Sequence, residues 1–187
     1  MLPEDLAEPY IDDDQILEME SYMDDLVSHM LSETEDGQEP VTFYRSRMVD
    51  AIMSVGELLD LIPQLTGKES KAEAKRMSKI LLSMCDLLDF TLLMAHAFET
   101  GVPDAEILEA ETNSGIIEIQ TNATICAMSL LDAVNALGFN FFVERNSENI
   151  DGEIVSSEIL GMLAGLCKLC EHLQVDLYDV MYSRITK

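Results

Sequence analysis

The stretch MCDLLDFTLLM, residues 84–94, decides how the rest of the chain is read. Its apolar residues have no period-two alternation, and they extend a pattern of Met77, Ile80, Leu81, Met84, Leu88 and Leu92 at steps of three and four. That spacing predicts a helix over about 72–100, ended by Gly101-Val-Pro103. Two carboxylates, Asp86 and Asp89, stand inside this apolar run. Charge there is costly unless something pairs it.

Working outward, an equally long helix is expected over about 42–66, with Met48, Ile52, Val55, Leu59 and Ile62 in step. Gly67 ends it, since the position after a helix often needs positive φ. The connector GKESKAEAKR is basic. A short helical piece, DAEILEAE, and a turn at Asn113-Ser114-Gly115 lead to a helix over about 116–137 with Gly138 after it. The loop FNFFVERNSENIDG follows, then a helix over about 153–173 and a short terminal helix beginning near Asp176. Upstream, Asp12, Asp13 and Asp14 can cap a helix start. Ile16, Met19, Met23, Leu26, Val27 and Met30 then give that helix a Met-rich stripe for packing on the body, and SETEDGQEP is a linker.

The fold class expected is all-α: a helical bundle made from two repeated helical hairpins. Its divisions are an acidic N-terminal helix and linker over 1–40, a first hairpin over 41–112, and a second, degenerate hairpin over 113–187. A shift of 72 residues lays 50–98 on 122–170 without a gap. GELLDLIPQL then falls on MSLLDAVNAL, and CDLLDFTLLM on SEILGMLAGL.

Charge narrows the function classes. There are 36 acidic residues against 11 basic ones, a net charge of −25. Residues 1–40 hold 14 of the acidic residues and no Lys or Arg. Duplex DNA is disfavoured as a direct ligand, because affinity for its backbone comes from Lys and Arg. Anionic membrane surfaces are disfavoured on the same ground, and no uninterrupted apolar run reaches the ~20 residues of a membrane span. A divalent cation or a basic protein partner is the natural complement, while solubility alone also explains an acidic excess. Cys85, Cys126, Cys167 and Cys170 lie in apolar helical segments, which favours reduced thiols and a cytoplasmic setting. Cys167-x-x-Cys170 has no second such pair to complete a zinc site.

The pattern richest in chemistry is Glu57-x-x-Asp60 on one helix and Asp86-x-x-Asp89 on the next. Residues three apart share a helix face. An antiparallel hairpin can therefore face the two pairs across one seam, where Mg²⁺ or Mn²⁺ would relieve their repulsion. A solvated acidic face is the competing reading of either pair alone. This arrangement resembles the all-α nucleoside-triphosphate pyrophosphohydrolases, the MazG-like and dimeric dUTPase-like proteins, whose mark is ExxE followed by ExxD. Two Glu positions are shortened to Asp here.

The resemblance implies a nucleotide substrate cleaved to the monophosphate and pyrophosphate. It assigns Glu57, Asp60, Asp86 and Asp89 to the metal and Glu57 to proton abstraction. Lys68, Lys71, Lys75 and Arg76 would hold substrate phosphates, and Phe139, Phe141 and Phe142 would stack on a base. For the phenylalanines, core packing is the alternative. Ser129, Asp132, Glu158 and Gly161 stand at the matching positions of the second copy, which keeps two of the four carboxylates. Family members dimerise, so a homodimer is a further expectation. The rival class is a non-catalytic acidic interaction or inhibitor protein. Such a protein acts as a nucleic-acid mimic or counter-defence protein of the kind phages encode, and it binds a basic partner.

Overall fold

The computed structural model describes residues 13–33, 41–102, 115–144 and 152–183. Among the described residues there are six α-helices and no strand. They are α1 (Asp13–Glu33), α2 (Val41–Leu61), α3 (Lys71–Ala97), α4 (Ile116–Phe139), α5 (Gly152–Leu173) and α6 (Leu177–Met181). The expected helical piece at 104–111 and the acid cap at Asp12 lie outside the described residues.

Helix ends follow local chemistry. Ser70 is the N-cap of α3, its hydroxyl accepting from the Glu73 amide at 3.1 Å. The Glu73 carboxylate accepts in turn from the amides of Thr66 (2.7 Å) and Gly67 (2.9 Å), which closes the first connector into a compact turn. Gly67 and Gly101 take positive φ within the connectors, whereas the left-handed residues at the ends of α3 and α5 are Glu99 and Gln174. Asp176 caps α6 through the Tyr178 amide.

Two boundaries differ from expectation. The helix expected to reach 66 stops at Leu61, and a 3-10 turn, Ile62–Gln64, carries Pro63, which cannot donate to a continuing α-helix. Gly138 does not end α4. It is buried within the helix beneath the Met48 side chain, in space a Cβ would occupy. The chain then continues as a π-helical turn, Asn140–Glu144.

Four helices form the bundle. α2 packs on α3, α3 on α5, α5 on α4, and α4 back on α2. α2 and α3 run antiparallel, with Ser54 against Asp86 and Glu57 against Ser83. α2 and α4 are also antiparallel, Met48 meeting Gly138 at one end and Gln120 donating to the carbonyls of Pro63 and Leu65 at the other. α3 is the central element: every residue from Ser83 to Ala95 except Asp86 is buried. α1 lies on α3 through Met19 and Met30, as its stripe predicts, and α6 also packs on α3.

The pairing inside the second hairpin departs from a gap-free copy of the first. Cys126 donates to the Gly165 carbonyl at 3.1 Å, whereas a shift of 72 sets position 126 against 158. Glu158 instead accepts from Asn140 at 2.6 Å. The physical reason is the connector: 140–151 separates α4 from α5, against 62–70 between α2 and α3.

Two helices, Lys71–Ala97 and the stretch Ile116–Phe142, are long and apolar enough to cross a membrane by length and composition alone. In the first, 72% of the apolar window is buried in the bundle, as for a core helix. In the second the figure is 39%, so α4 keeps a substantial apolar face outside the core.

Candidate functional site

The four carboxylates marked by the sequence occupy three different surroundings. Glu57 and Asp86 belong to the α2–α3 seam. There the Ser83 hydroxyl donates to Glu57 at 3.0 Å, and the Ser54 hydroxyl donates to Asp86 at 2.8 Å. Each helix thus offers a serine three residues ahead of its acid, and the two helices exchange hydroxyl-to-carboxylate bonds. Asp60, one turn along from Glu57, is exposed. Asp89 is only 1% exposed and accepts from the Tyr22 hydroxyl of α1 at 2.8 Å.

Burial dominates the chemistry of Asp89. Removing its charge from water lifts the carboxyl to about 6, against the opposing pull of the Tyr22 hydroxyl, the Arg47 charge and the Cys85 thiol. The same enclosure raises the Tyr22 phenol far above its ordinary range, with the Asp89 charge adding to the effect. Tyr22 is therefore the donor of this pair. Cys85 joins the node, its sulfur 3.4 Å from the Tyr22 oxygen and 4.0 Å from the Met181 carbonyl of α6. The node ties α1, α3 and the C-terminal helix together at one point.

A hard divalent ion needs several oxygen ligands converging within bonding distance. Among the described residues, no three His, Cys, Asp or Glu side chains stand together in that way. The seam brings Glu57 and Asp86 to one place, already hydrogen-bonded. Asp60 is on the wet side and Asp89 is engaged beneath Tyr22, so in this arrangement the donor set falls short of a metal cluster.

The remaining candidates are dispersed as well. Lys68, Lys71 and Lys75 are exposed, and Arg76 is half-buried in an ion pair with Glu73 at 3.0 Å. Phe141 is buried in an aromatic cluster, its ring centroid 4.8 Å from those of Tyr44 and Phe142 and 6.0 Å from that of Phe98. Phe139 is exposed, and Phe142 is half-buried with Arg45 5.9 Å from its ring. The three rings do not share one face. All four cysteines are free thiols; burial pushes Cys126 up to about 11 and Cys167 up to about 12, so neither is a ready thiolate.

Sequence reading missed Tyr22, Ser54 and Ser83. The serines carried a signal, since Ser-x-x-acid recurs on both helices of the hairpin. Tyr22 carried little, because it sits among the apolar residues of α1 and its partner is 67 positions away.

No protein-family model, curated protein or solved structure matches this chain.

Proposed function

We propose that this is a non-catalytic, acidic interaction protein whose helical body binds a basic protein surface. The observation that carries the reading is the state of the four carboxylates: Asp86 and Asp89 are taken up by hydroxyl donors within the chain, while Glu57, which accepts from Ser83, and Asp60 are both exposed to water. Charge supports it. With 36 acidic residues and 11 basic ones, one-to-one pairing still leaves 25 carboxylates without an internal cation. Such a surface repels nucleic acid and attracts proteins that bind nucleic acid. The four free cysteines, two buried and two half-buried, fit a reducing, cytoplasmic setting.

One observation favours the second reading, a MazG-like nucleoside-triphosphate pyrophosphohydrolase. Glu57 and Asp86 each accept a serine hydroxyl across the same seam between neighbouring antiparallel helices, which is compatible with that reading. A metal site would further need Asp89 released from Tyr22 and Asp60 turned inward.

One pair of measurements separates the two. The full chain is incubated with a panel of NTPs and dNTPs and Mg²⁺ or Mn²⁺, and pyrophosphate is assayed. It is also titrated against a fluorescent Lys/Arg-rich peptide at low and high salt. The expected result is no pyrophosphate, and saturable binding that weakens as salt rises. Metal-dependent pyrophosphate release that Asp86→Asn abolishes with the helical signal intact would overturn the interaction reading in favour of the hydrolase.

A further inference from the structure

The outer side of α2 and α4 carries apolar residues that the bundle leaves uncovered. On α2 these are Val49, Ile52 and Met53, Met53 being 63% exposed. On α4 they are Ile125 and Met128, at 58% and 57%. Both sets follow helical spacing, so each is a stripe on one face. The two helices are antiparallel neighbours, and the contacts at either end place the middle of α2 alongside the middle of α4. The stripes therefore lie side by side over one seam. Gly56 falls on it, and the space where its side chain would stand is open.

The rim of this face carries more acid than base: Arg45 is exposed one turn ahead of Val49, and the other charges are mostly carboxylates. Asp60 and Glu57 are exposed on α2 and Asp132 is exposed on α4. Asp50 is half-exposed beside its partner Arg47. An apolar stripe bounded by carboxylates complements one kind of ligand: a helix with apolar residues at i, i+3, i+4 and i+7 and Lys or Arg on its flanks. A second copy of this chain brings a net charge of −25 to the contact and meets like charge. The stretches 1–12, 34–40 and 103–114 contain no Lys or Arg, and 145–151 and 184–187, which hold Arg145 and Arg184 with Lys187, are too short to supply apolar residues at i, i+3, i+4 and i+7.

We infer that the α2–α4 seam is the docking surface for a basic amphipathic helix of the partner. This rests on the interaction reading and assigns it a place and a ligand class. Apolar contacts supply the affinity at Met53 and Met128, and the carboxylate rim sets orientation and excludes acidic helices.

The test uses the full chain and two synthetic peptides of identical composition. One is patterned Leu/Lys so that its leucines form a single helical face; the other is its scrambled form. Binding is read by fluorescence anisotropy for the native chain, for Met53→Glu with Met128→Glu, and for Leu31→Glu on the exposed face of α1. The native chain should bind the patterned peptide at least about tenfold tighter than the scrambled one. The double variant should lose that preference, and Leu31→Glu should keep it. The sign is informative, because each Glu adds negative charge: charge attraction alone would strengthen binding to a cationic peptide. Circular dichroism checks that all variants keep their helicity.

Equal binding of both peptides, unaffected by the double substitution, overturns the seam and leaves the basic-partner reading standing. No binding of either peptide removes that reading along with the seam. A native dimer by light scattering that the double variant converts to monomer would give the face to a second copy. Adsorption to phosphatidylcholine vesicles, lost in the double variant, would give it to a lipid surface. Either result overturns the inference.

Discussion

At the scale of single residues, Asp89 is the position where burial and charge conflict most directly. Burial lifts its carboxyl from the ordinary aspartate value of 3.8 to about 6 in the folded chain. Between those values the native state holds a proton that the unfolded chain has released. Its contribution is therefore most favourable below about 3.8, declines as pH rises through the window, and is fully lost above about 6. Asp89→Asn keeps an acceptor for the Tyr22 hydroxyl and cannot ionise. Denaturant melts should find it more stable than the native chain at pH 7, by up to about 3 kcal/mol, and nearly equal to it at pH 4. Subtracting the two pH profiles isolates this residue from the other carboxylates. The sequence marked Asp89 as a charge needing a partner, and that much was legible. It offered a cation where the fold supplies a phenol, because no local spacing encodes a contact between α1 and α3.

At the scale of elements, α1 is fixed to the body by an apolar stripe, by the Tyr22 hydroxyl on Asp89 and Cys85, and by Glu18 accepting from Tyr182. Met19 and Met30 are buried against the core, while Leu17 and Leu31 on the other side are exposed. Tyr22→Phe removes the donor and leaves Asp89 enclosed without it, a loss of about 1–3 kcal/mol. The effect should be local. Amide exchange across α1 should accelerate by about tenfold or more for each ~1.4 kcal/mol lost, with the α4–α5 hairpin unchanged; uniform acceleration over all helices would contradict a separable α1. Helix existence and spacing were legible throughout, since the apolar period that a helix buries is written directly in the chain. Boundaries were less so at Pro63 and Gly138. Proline truncated α2 into a 3-10 turn by removing a donor, and the missing Cβ of Gly138 served close packing with Met48 rather than termination. Hairpin pairing was the least legible. Cys126 meets Gly165 because the second connector is longer, and register across a bundle depends on connector length and packing as well as helical period.

At the scale of the whole molecule, the acidic excess opposes compaction. Self-repulsion among like charges destabilises the folded state and is screened by salt. Thermal melting at pH 7 should shift upward as sodium chloride rises from ~20 mM to ~0.5 M, over which the Debye length shrinks from roughly 20 Å to about 4 Å. A flat response would mean that the carboxylates are already neutralised within the fold. The same charge bears on partner choice, since it disfavours acidic ligands before any contact forms. All-α character was legible from composition and period. The bundle's exposed seam was not, because Val49, Ile52, Met53, Ile125 and Met128 read as ordinary helical hydrophobes until the neighbours of each face are known.

The clasp in the first connector has a consequence for how the chain meets proteases. Glu73 holds the amides of Thr66 and Gly67, and Ser70 holds the amide of Glu73, so the backbone on either side of Lys68 is pinned although its side chain is exposed. Trypsin must straighten several residues to cleave there. A lysine-rich stretch that looks vulnerable on paper should thus outlast exposed basic sites without such a clasp, and Glu73→Gln, with weaker acceptor strength, should be nicked there sooner in a timed digest followed by mass spectrometry.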